Sequence, residues 1–395
     1  MIYALSNSVC RLAPSIIRGS LKQMSDPTLI SFAGGNPAAD TFPAAEIARF
    51  SNALLTQNAA AVLQYSVSEG VPFVRTAMKK FANRHEIICR DTDDLLITSG
   101  SQQVMDFVAK CLVNEGDTVA VEVPAFLGAY NAFLSYGAQL AGVPMEDDGV
   151  DLAALEAVFA AKPTPKFFYC IPNFQNPTGK TMSLAKRKAV YALAQQYHVP
   201  VLEDNPYGEL RFTGENLPSI KSFDTDGTVI YAGSFSKILC PGMRLAYCIC
   251  QKELHAKLVL AKQVSDVHTN VWAQRVCEQM LTQTDMEAHI ASICVIYREK
   301  AEKMMAALDA KCPQIAYHKP EGGMFLWATL PENIAVSTFV QKCLAEKLAL
   351  VPGNAFMVDT AAPCQNIRMN FSTPTAEQIE RGVEIMACVL AEMLG

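Results

Sequence analysis

The sequence has no C-x-x-C pair and no paired cysteine spacing of the zinc-binding kind, although 13 cysteines run singly from Cys10 to Cys388. An odd number cannot all pair within one chain. Scattered single thiols argue against a disulfide framework and against a metal site, and they read as reduced cysteines of a cytoplasmic protein. Cys248 and Cys250 fall in an apolar strand-like run, where core packing is the reading. A basic excess is missing too. With 33 Lys and Arg against 39 Asp and Glu, and a formal net charge of −6, the chain offers no basic face for a phosphate backbone, so nucleic acid is not an expected partner. No basic flank followed by a long apolar stretch opens the chain, and no signal peptide is expected. One uncharged run, Val123 to Met145, has the length of a membrane span, but Pro124, Gly128, Asn131, Ser135, Gly137, Gln139 and Pro144 interrupt it. Strand, loop and helix is the expectation there, and no membrane. Internal repeats and low-complexity segments are absent. Charged residues make up only 18% of the 395, whereas half are hydrophobic. That is more chain than one typical core holds, and it leaves apolar surface for a subunit interface.

What is present centres on Ser234-Phe235-Ser236-Lys237-Ile238-Leu239-Cys240-Pro241-Gly242-Met243-Arg244, after the apolar run Val229-Ile230-Tyr231-Ala232, which reads as a buried strand. Lysine is among the residues least often buried. Desolvated beside other cations, its amine loses its proton and becomes a nucleophile able to form a Schiff base with an aldehyde. Ser234, Ser236 and Arg244 are groups that hold a phosphate dianion, and Pro241-Gly242 turns Arg244 back toward the serines. An aldehyde carrying a phosphate fits this combination. In isolation, S-x-S-K reads as a surface loop after a strand, so its weight depends on the other segments.

Asp94 to Thr98 reads as a strand, and Ser99-Gly100-Ser101-Gln102-Gln103 leads into a helical pattern at Val104, Phe107, Val108, Cys111 and Leu112. Strand, glycine turn and helix start form an anion site, although any serine-capped helix looks similar. Val119 to Val123 is the next strand and ends in Pro124-Ala125-Phe126, where Phe126 is either a stacking face or a core residue. Lys166 to Pro172 is another, followed by Asn173 to Gly179. In that turn Asn176 either donates its amide to a ligand or only bends the chain. A helix from Leu184 to His198 leads to a strand ending in Glu203-Asp204-Asn205-Pro206-Tyr207, the place where α/β proteins bind ligands. Alternation sends Glu203 and Asp204 to opposite faces, so only one meets the ligand. Gly34 and Gly35 in Phe32–Pro37 mark a close approach or an ordinary turn. Later, Gln251 to Leu281 and Asp285 to Ala310 read as helices. Glu321 to Trp327 and Asn366 to Phe371 read as strands of a smaller domain, and Thr375 to Leu394 as an amphipathic closing helix. Arg368 alternates with apolar residues in its strand and is either a solvent-facing or a ligand-facing cation.

From about Pro14 to the C-terminus, these segments resemble class I aminotransferases that use pyridoxal 5′-phosphate (PLP), especially the aminoadipate/kynurenine aminotransferase branch. The carriers of the resemblance are SFSKILCPGMR, N-P-T-G at Asn176 and D-x-x-Y at Asp204. It implies an α/β chain of PLP fold type I: a large domain with a mostly parallel sheet flanked by helices, plus a smaller α+β domain. The expected division is residues 1–46 as N-terminal arm and small-domain segment, 47–290 as the PLP-binding domain, and 291–395 as the C-terminal small domain. Lys237 would carry PLP and act as the base. Asp204, selected over Glu203 by D-x-x-Y, would pair with the ring nitrogen, and Asn176 and Tyr207 with the ring's phenolic oxygen. Phe126 stands where the family commonly has tyrosine and keeps the stacking face without the hydroxyl. Ser101, Gln102, Ser234, Ser236 and Arg244 would hold the cofactor. Tyr65, in Leu63-Gln64-Tyr65-Ser66, would reach the phosphate of a neighbouring copy, which implies a homodimer with shared active sites. Gly35, Asn176 and Arg368 would meet the substrate carboxylate. Arg18, in Pro14-Ser15-Ile16-Ile17-Arg18, would meet its distal end from an arm whose short helix has Ser15 near its cap.

The implied activity moves an amino group from an L-amino acid (2-aminoadipate, glutamate, aromatic or aliphatic) to a 2-oxo acid such as 2-oxoglutarate. A PLP lyase or decarboxylase would share the cofactor set and stays open as the alternative. A ligand-sensing regulator on the same fold would need a DNA-binding domain ahead of the phosphate segments, where this chain has 31 residues before Phe32 and no basic recognition helix.

Overall fold

The computed structural model describes residues 3–12, 26 and 28–395. The Pro14–Arg18 segment lies outside them. In chain order the strands are β1 (Ile30–Ser31), β2 (Asp93–Thr98), β3 (Thr118–Val123), β4 (Gln139–Glu146), β5 (Gly149–Val150), β6 (Phe168–Cys170), β7 (Val201–Asn205), β8 (Val229–Ser234), β9 (Ala246–Gln251), β10 (Ala316–Tyr317), β11 (Phe325–Thr329), β12 (Leu348–Ala349), β13 (Val351–Pro352) and β14 (Asn366–Asn370).

Eight of them form one sheet in the order β2-β9-β8-β7-β6-β3-β4-β5. Its centre, β8-β7-β6-β3-β4, is parallel, and β9 runs antiparallel to both β8 and β2. Parallel strands covered on both faces must be apolar nearly throughout. Accordingly, Val121, Tyr169, Leu202 and Ile230, aligned by register, pack into the main core on one face. Ala120, Phe168, Val201 and Val229 pack on the other face with Leu155, Phe159, Val190 and Ala194, residues of the helices Leu152–Ala160 and Leu184–Tyr197. This arrangement brings the carboxyl ends of β2, β3, β6, β7 and β8 to one edge, each followed by a segment singled out above.

A second sheet, β10-β11-β14-β13, is antiparallel and follows the long helix Met286–Lys311. β1 pairs parallel with β12, Phe32 donates its amide to the Ala349 carbonyl (2.9 Å), and Asn370 donates to that of Phe32 (2.7 Å). The segment before residue 46 is therefore stitched to the C-terminal part of the chain. The closing helix, Ala376–Leu394, opens with a reciprocal capping box between Thr375 and Gln378.

Two local differences from the sequence reading have physical causes. The stretch from Gln251 to Leu281 is two helices, Lys252–Gln263 and Val271–Gln283. The Lys262 carbonyl collects the amides of Ser265, Asp266 and Val267, Val267 has φ +64°, and Asn270 caps the next helix. β6 is shorter than Lys166–Pro172, because the Ile171 amide goes to the Glu122 carboxylate and Pro172 has no amide to give. The uncharged Val123–Met145 run holds the end of β3, the helix Leu127–Ser135 and most of β4; no helix among the described residues is long and apolar enough to cross a membrane.

Candidate active site

Past the end of β8, Lys237 enters a cavity of about 510 Å³ that is also lined by Gly35, Ser101, Gln102, Phe126, Asn176, Asp204, Tyr207, Ser234, Ser236, Arg244 and Arg368. Its Nζ donates to the Gly35 carbonyl at 2.7 Å. Burial, then the nearby Arg368 and Arg244 guanidinium groups, lower its pKa to about 8.

Strand alternation at the end of β7 separates the two acids. Glu203 points to the far face and accepts from the backbone amides of Ile220 (3.0 Å) and Lys221 (2.7 Å). Asp204 points into the cavity. Its Oδ2 accepts from the Tyr169 hydroxyl at 2.9 Å, whereas its buried Oδ1 has no partner. Burial raises this carboxyl to about pH 7. An orphaned carboxylate oxygen there suits a cationic ring nitrogen, which would restore ionisation and complete the hydrogen bonding.

Arg368 projects from β14 and is fully enclosed. Nη1 donates to Asn176 Oδ1 (3.0 Å), Nη2 to the Ala33 carbonyl (2.6 Å), and Nε has no partner. The guanidinium carbon lies 4.4 Å from the Phe325 ring centroid and 4.9 Å from that of Phe356, which fixes the plane of the fork. Burial lowers its pKa to about 10, which leaves it a cation at neutral pH. Tyr207 stacks edge-on against Phe325 at 5.7 Å.

At the other end, Gly100 (φ +86°) precedes the helix Ser101–Leu112, whose first amides lack intrahelical acceptors. A Cβ at Gly100 would come within 2.2 Å of Arg244 Nη2, so the glycine is needed both for its dihedral and for the approach of the arginine. The Pro241–Met243 turn sets Arg244 in place, and the Ser234 hydroxyl accepts from the Ser236 amide at 3.2 Å. Amide dipoles, hydroxyls and a guanidinium thus face one end of the cavity, the donor set of a phosphate site.

Tyr65 is 82% exposed, packs edge-on against His268 at 5.8 Å and is not among the cavity-lining residues. Arg18 lies outside the described residues. Sequence reasoning missed Tyr169, whose only signal was a hydroxyl in an otherwise apolar strand, a group that needs a buried partner. It also missed Gln175. That side chain donates to Glu122 Oε2 (3.2 Å) and the Pro124 carbonyl (2.7 Å) and accepts from the Thr178 amide and hydroxyl, tying the Asn176 turn to β3.

A mostly parallel sheet with a nucleophilic lysine, an unpaired carboxylate and a phosphate cradle at its carboxyl edge defines a PLP enzyme of fold type I. The family profile "Aminotransferase class I and II" matches residues 27–386. Aromatic-amino-acid aminotransferase 1 of Thermococcus litoralis is 36% identical over 98% of this chain and 94% of its own. The 2-aminoadipate transaminase of Thermus thermophilus is 35% identical over 99% and 97%. Among solved structures, a Pyrococcus horikoshii kynurenine aminotransferase in complex with PMP superposes with a TM-score of 0.94 at 34% identity, covering 99% of this chain and 98% of that one. The chain belongs to the class I and II aminotransferases, its cofactor is pyridoxal 5′-phosphate, and its activity is transamination.

Proposed function

We propose that the amino donor is an L-amino acid of the 2-aminoadipate, glutamate, aromatic or aliphatic kind and that the acceptor is a 2-oxo acid such as 2-oxoglutarate. The observation that carries this reading is Arg368, a buried, aromatic-clamped cation with an unsatisfied Nε, facing the same cavity as Lys237. A fork of that kind takes an α-carboxylate shared by all these donors and both 2-oxo acids. The names of the relatives add the aromatic and 2-aminoadipate side chains.

When bound, PLP supplies an aldehyde that condenses with amines and a ring that accepts the electron pair left at a substrate's α-carbon. The chain's own residues do the rest. Lys237, with a pKa near 8, would hold the cofactor at rest through Nζ and, once freed, would take the proton from the substrate's α-carbon on that amine and give it up again on the same face. Asp204 keeps the ring nitrogen charged through Oδ1, with Tyr169 fixing its other oxygen. Asn176 and Tyr207 orient the ring oxygen, Phe126 covers a ring face, and Gly35, Asn176 and Arg368 seat the carboxylate. Ser101, Gln102, Ser234, Ser236 and Arg244 hold the phosphate.

The proposal extends to assembly. Exposure of Tyr65 beside Leu63 (70%) and Val67 (49%) suits a homodimer in which Tyr65 completes the neighbour's phosphate site. The division at 46/47 and 290/291 is supported by the two sheets and the β1–β12 pairing, and a cytoplasmic location by thirteen free cysteines. Purified protein screened with amino donors and 2-oxoglutarate tests the reading: glutamate formation with 2-aminoadipate and aromatic donors is expected, and release of CO₂ or ammonia without glutamate would replace it. In the same screen Arg18→Ala should raise KM for acidic donors by about tenfold or more and leave aromatic donors nearly unchanged.

A further inference from the structure

Behind the first turn of the helix Ser101–Leu112 lies a lysine that the proposed chemistry does not use. Lys262 is 0% exposed. Its Nζ donates to Asp266 Oδ1 (2.9 Å) and Oδ2 (3.0 Å) and to Gln103 Oε1 (2.9 Å). The same Gln103 oxygen accepts from the Ser99 amide (2.9 Å), and Gln103 Nε2 donates to Asp266 Oδ2 (2.9 Å). Asp266 Oδ2 also accepts from the Ser99 hydroxyl at 2.8 Å. Lys262 and Asp266, paired with each other, thus both bond outward to Ser99 or Gln103, the two residues that flank Gly100, Ser101 and Gln102.

Stability alone does not account for the arrangement. Buried ion pairs are often replaced by apolar side chains at no cost, because desolvation cancels the attraction. A field effect on the phosphate is equally poor as an explanation, since Asp266 in direct contact cancels most of the lysine charge, while Arg244 supplies an uncancelled one against Gly100. What the cluster does supply is direction. It fixes both ends of a glycine-centred bend whose free amides must point into the cavity, and without it the Gly100 dihedrals are the softest in the segment.

We propose that Lys262 is a positioning residue for the phosphate end of the cavity, acting through Gln103 and Asp266 on the Ser99–Gly100–Ser101 bend. The proposal rests on the reading of that end as the site of the PLP phosphate. Its test compares PLP with pyridoxal, the same aldehyde without the phosphate, on the full-length chain stripped of cofactor, following the absorbance of the bound aldehyde.

Lys262→Met should raise Kd for PLP by about tenfold or more, the scale of one charge-assisted hydrogen bond, and shift Kd for pyridoxal less than about threefold. Gln103→Leu, which removes the Lys262 bond to the bend and the Ser99 amide's acceptor but leaves the Lys262–Asp266 pair and the Ser99 hydroxyl's bond to Asp266, should show the same selective loss. It decides alone if Lys262→Met does not fold by far-UV circular dichroism. Equal losses for both aldehydes would mean a general structural role, and no loss in either variant would place Lys262 outside the site; both overturn the proposal. A wild-type chain that binds pyridoxal as tightly as PLP would instead sink the reading of the phosphate end, a separate failure.

Discussion

Lys221 and Lys237 stand on either side of β8, the first buried and the second half-buried in its cavity. Lys221 is 1% exposed, and its three protons go to Asp224 Oδ2 (2.7 Å), the Val229 carbonyl (2.9 Å) and Asp93 Oδ1 (3.0 Å). Burial opposes its charge, but Asp224 and Asp93 outweigh burial and hold its pKa above the usual value. Lys237 has one acceptor, a carbonyl, and its nearest charges are the cations Arg368 and Arg244. Burial acts alike on the two, and the neighbours decide the outcome: one lysine is a locked cation and the other a proton-exchanging amine. Lys262 lies between them: Asp266 pairs with it, but burial outweighs that partner and holds its pKa below the usual value.

If that division is correct, the two lysines fail in different ways when removed. Lys237→Ala should cut turnover by about four orders of magnitude or more, the loss of a base that is also the cofactor's anchor, without lowering the urea midpoint of the cofactor-free protein. A variant that retains full turnover would dissolve the distinction. Lys221→Met should do the reverse. It strands Asp93 and Asp224 in the interior, costing about 3–5 kcal/mol of unfolding free energy in urea, while kcat per folded molecule stays at the wild-type level. Lost turnover at unchanged stability would place Lys221 in the chemistry.

The same contrast explains how much was legible in the sequence. Lys237 was readable because hydroxyls, a turn and an arginine surround it within eleven residues, and Asp204 because alternation at a strand end leaves one acid per face. Lys221 gave little signal: Asp224, three residues on, is a local partner, but Asp93 comes from the start of β2, and only the pairing of β2 with β9, and of β9 with β8, brings it there. Tyr169 and Gln175 were hard to read for the same reason, since Tyr169 acts on a residue of β7 and Gln175 on residues at the end of β3. Sequence order shows local chemistry, while the supports of that chemistry depend on register. The break at 264–270 illustrates the limit in secondary structure. What holds the turned backbone there, the bonds from Ser99 and Gln103 to Asp266, is a tertiary contact that a helical pattern does not contain.

Arg368 sharpens the comparison because it is a buried cation without a carboxylate partner, like Lys237, yet it stays charged, with a pKa near 10. Its planar fork is what the proposed carboxylate clamp needs. Arg368→Lys keeps the charge and loses the fork, so KM for every amino donor should rise by roughly tenfold to hundredfold, corresponding to about 1.5–3 kcal/mol, with a smaller change in kcat. A selective effect on one donor class would move Arg368 from the α-carboxylate to the side-chain end of the cavity.

The smallest effect separates the two lysines by pH. In the cofactor-free protein Lys237 has a folded pKa near 8 against about 10.4 in an unfolded chain. Between those values the unfolded chain binds more protons than the folded one, so stability contributed at this site rises with pH across that window and is constant below it. Lys221, raised in the folded state, behaves oppositely: its contribution is complete below the unfolded pKa and fades only as pH climbs through the higher folded value. Lys237→Met removes a cation that the fold holds unwillingly at neutral pH. It should therefore stabilise the cofactor-free protein at pH 7 by about 1–2 kcal/mol, a figure reduced from the full shift because the open cavity admits water. The gain over wild type should shrink as pH climbs from 8 to 10 and approach zero above about 10.4, where the wild-type amine is neutral in both states. Urea unfolding of both proteins at pH 7, 8.5 and 10 measures the difference, in which all other titrating groups cancel. A wild-type protein more stable than Lys237→Met at pH 7 would show that Lys237 is held as a paired cation, and the contrast with Lys221 would be lost.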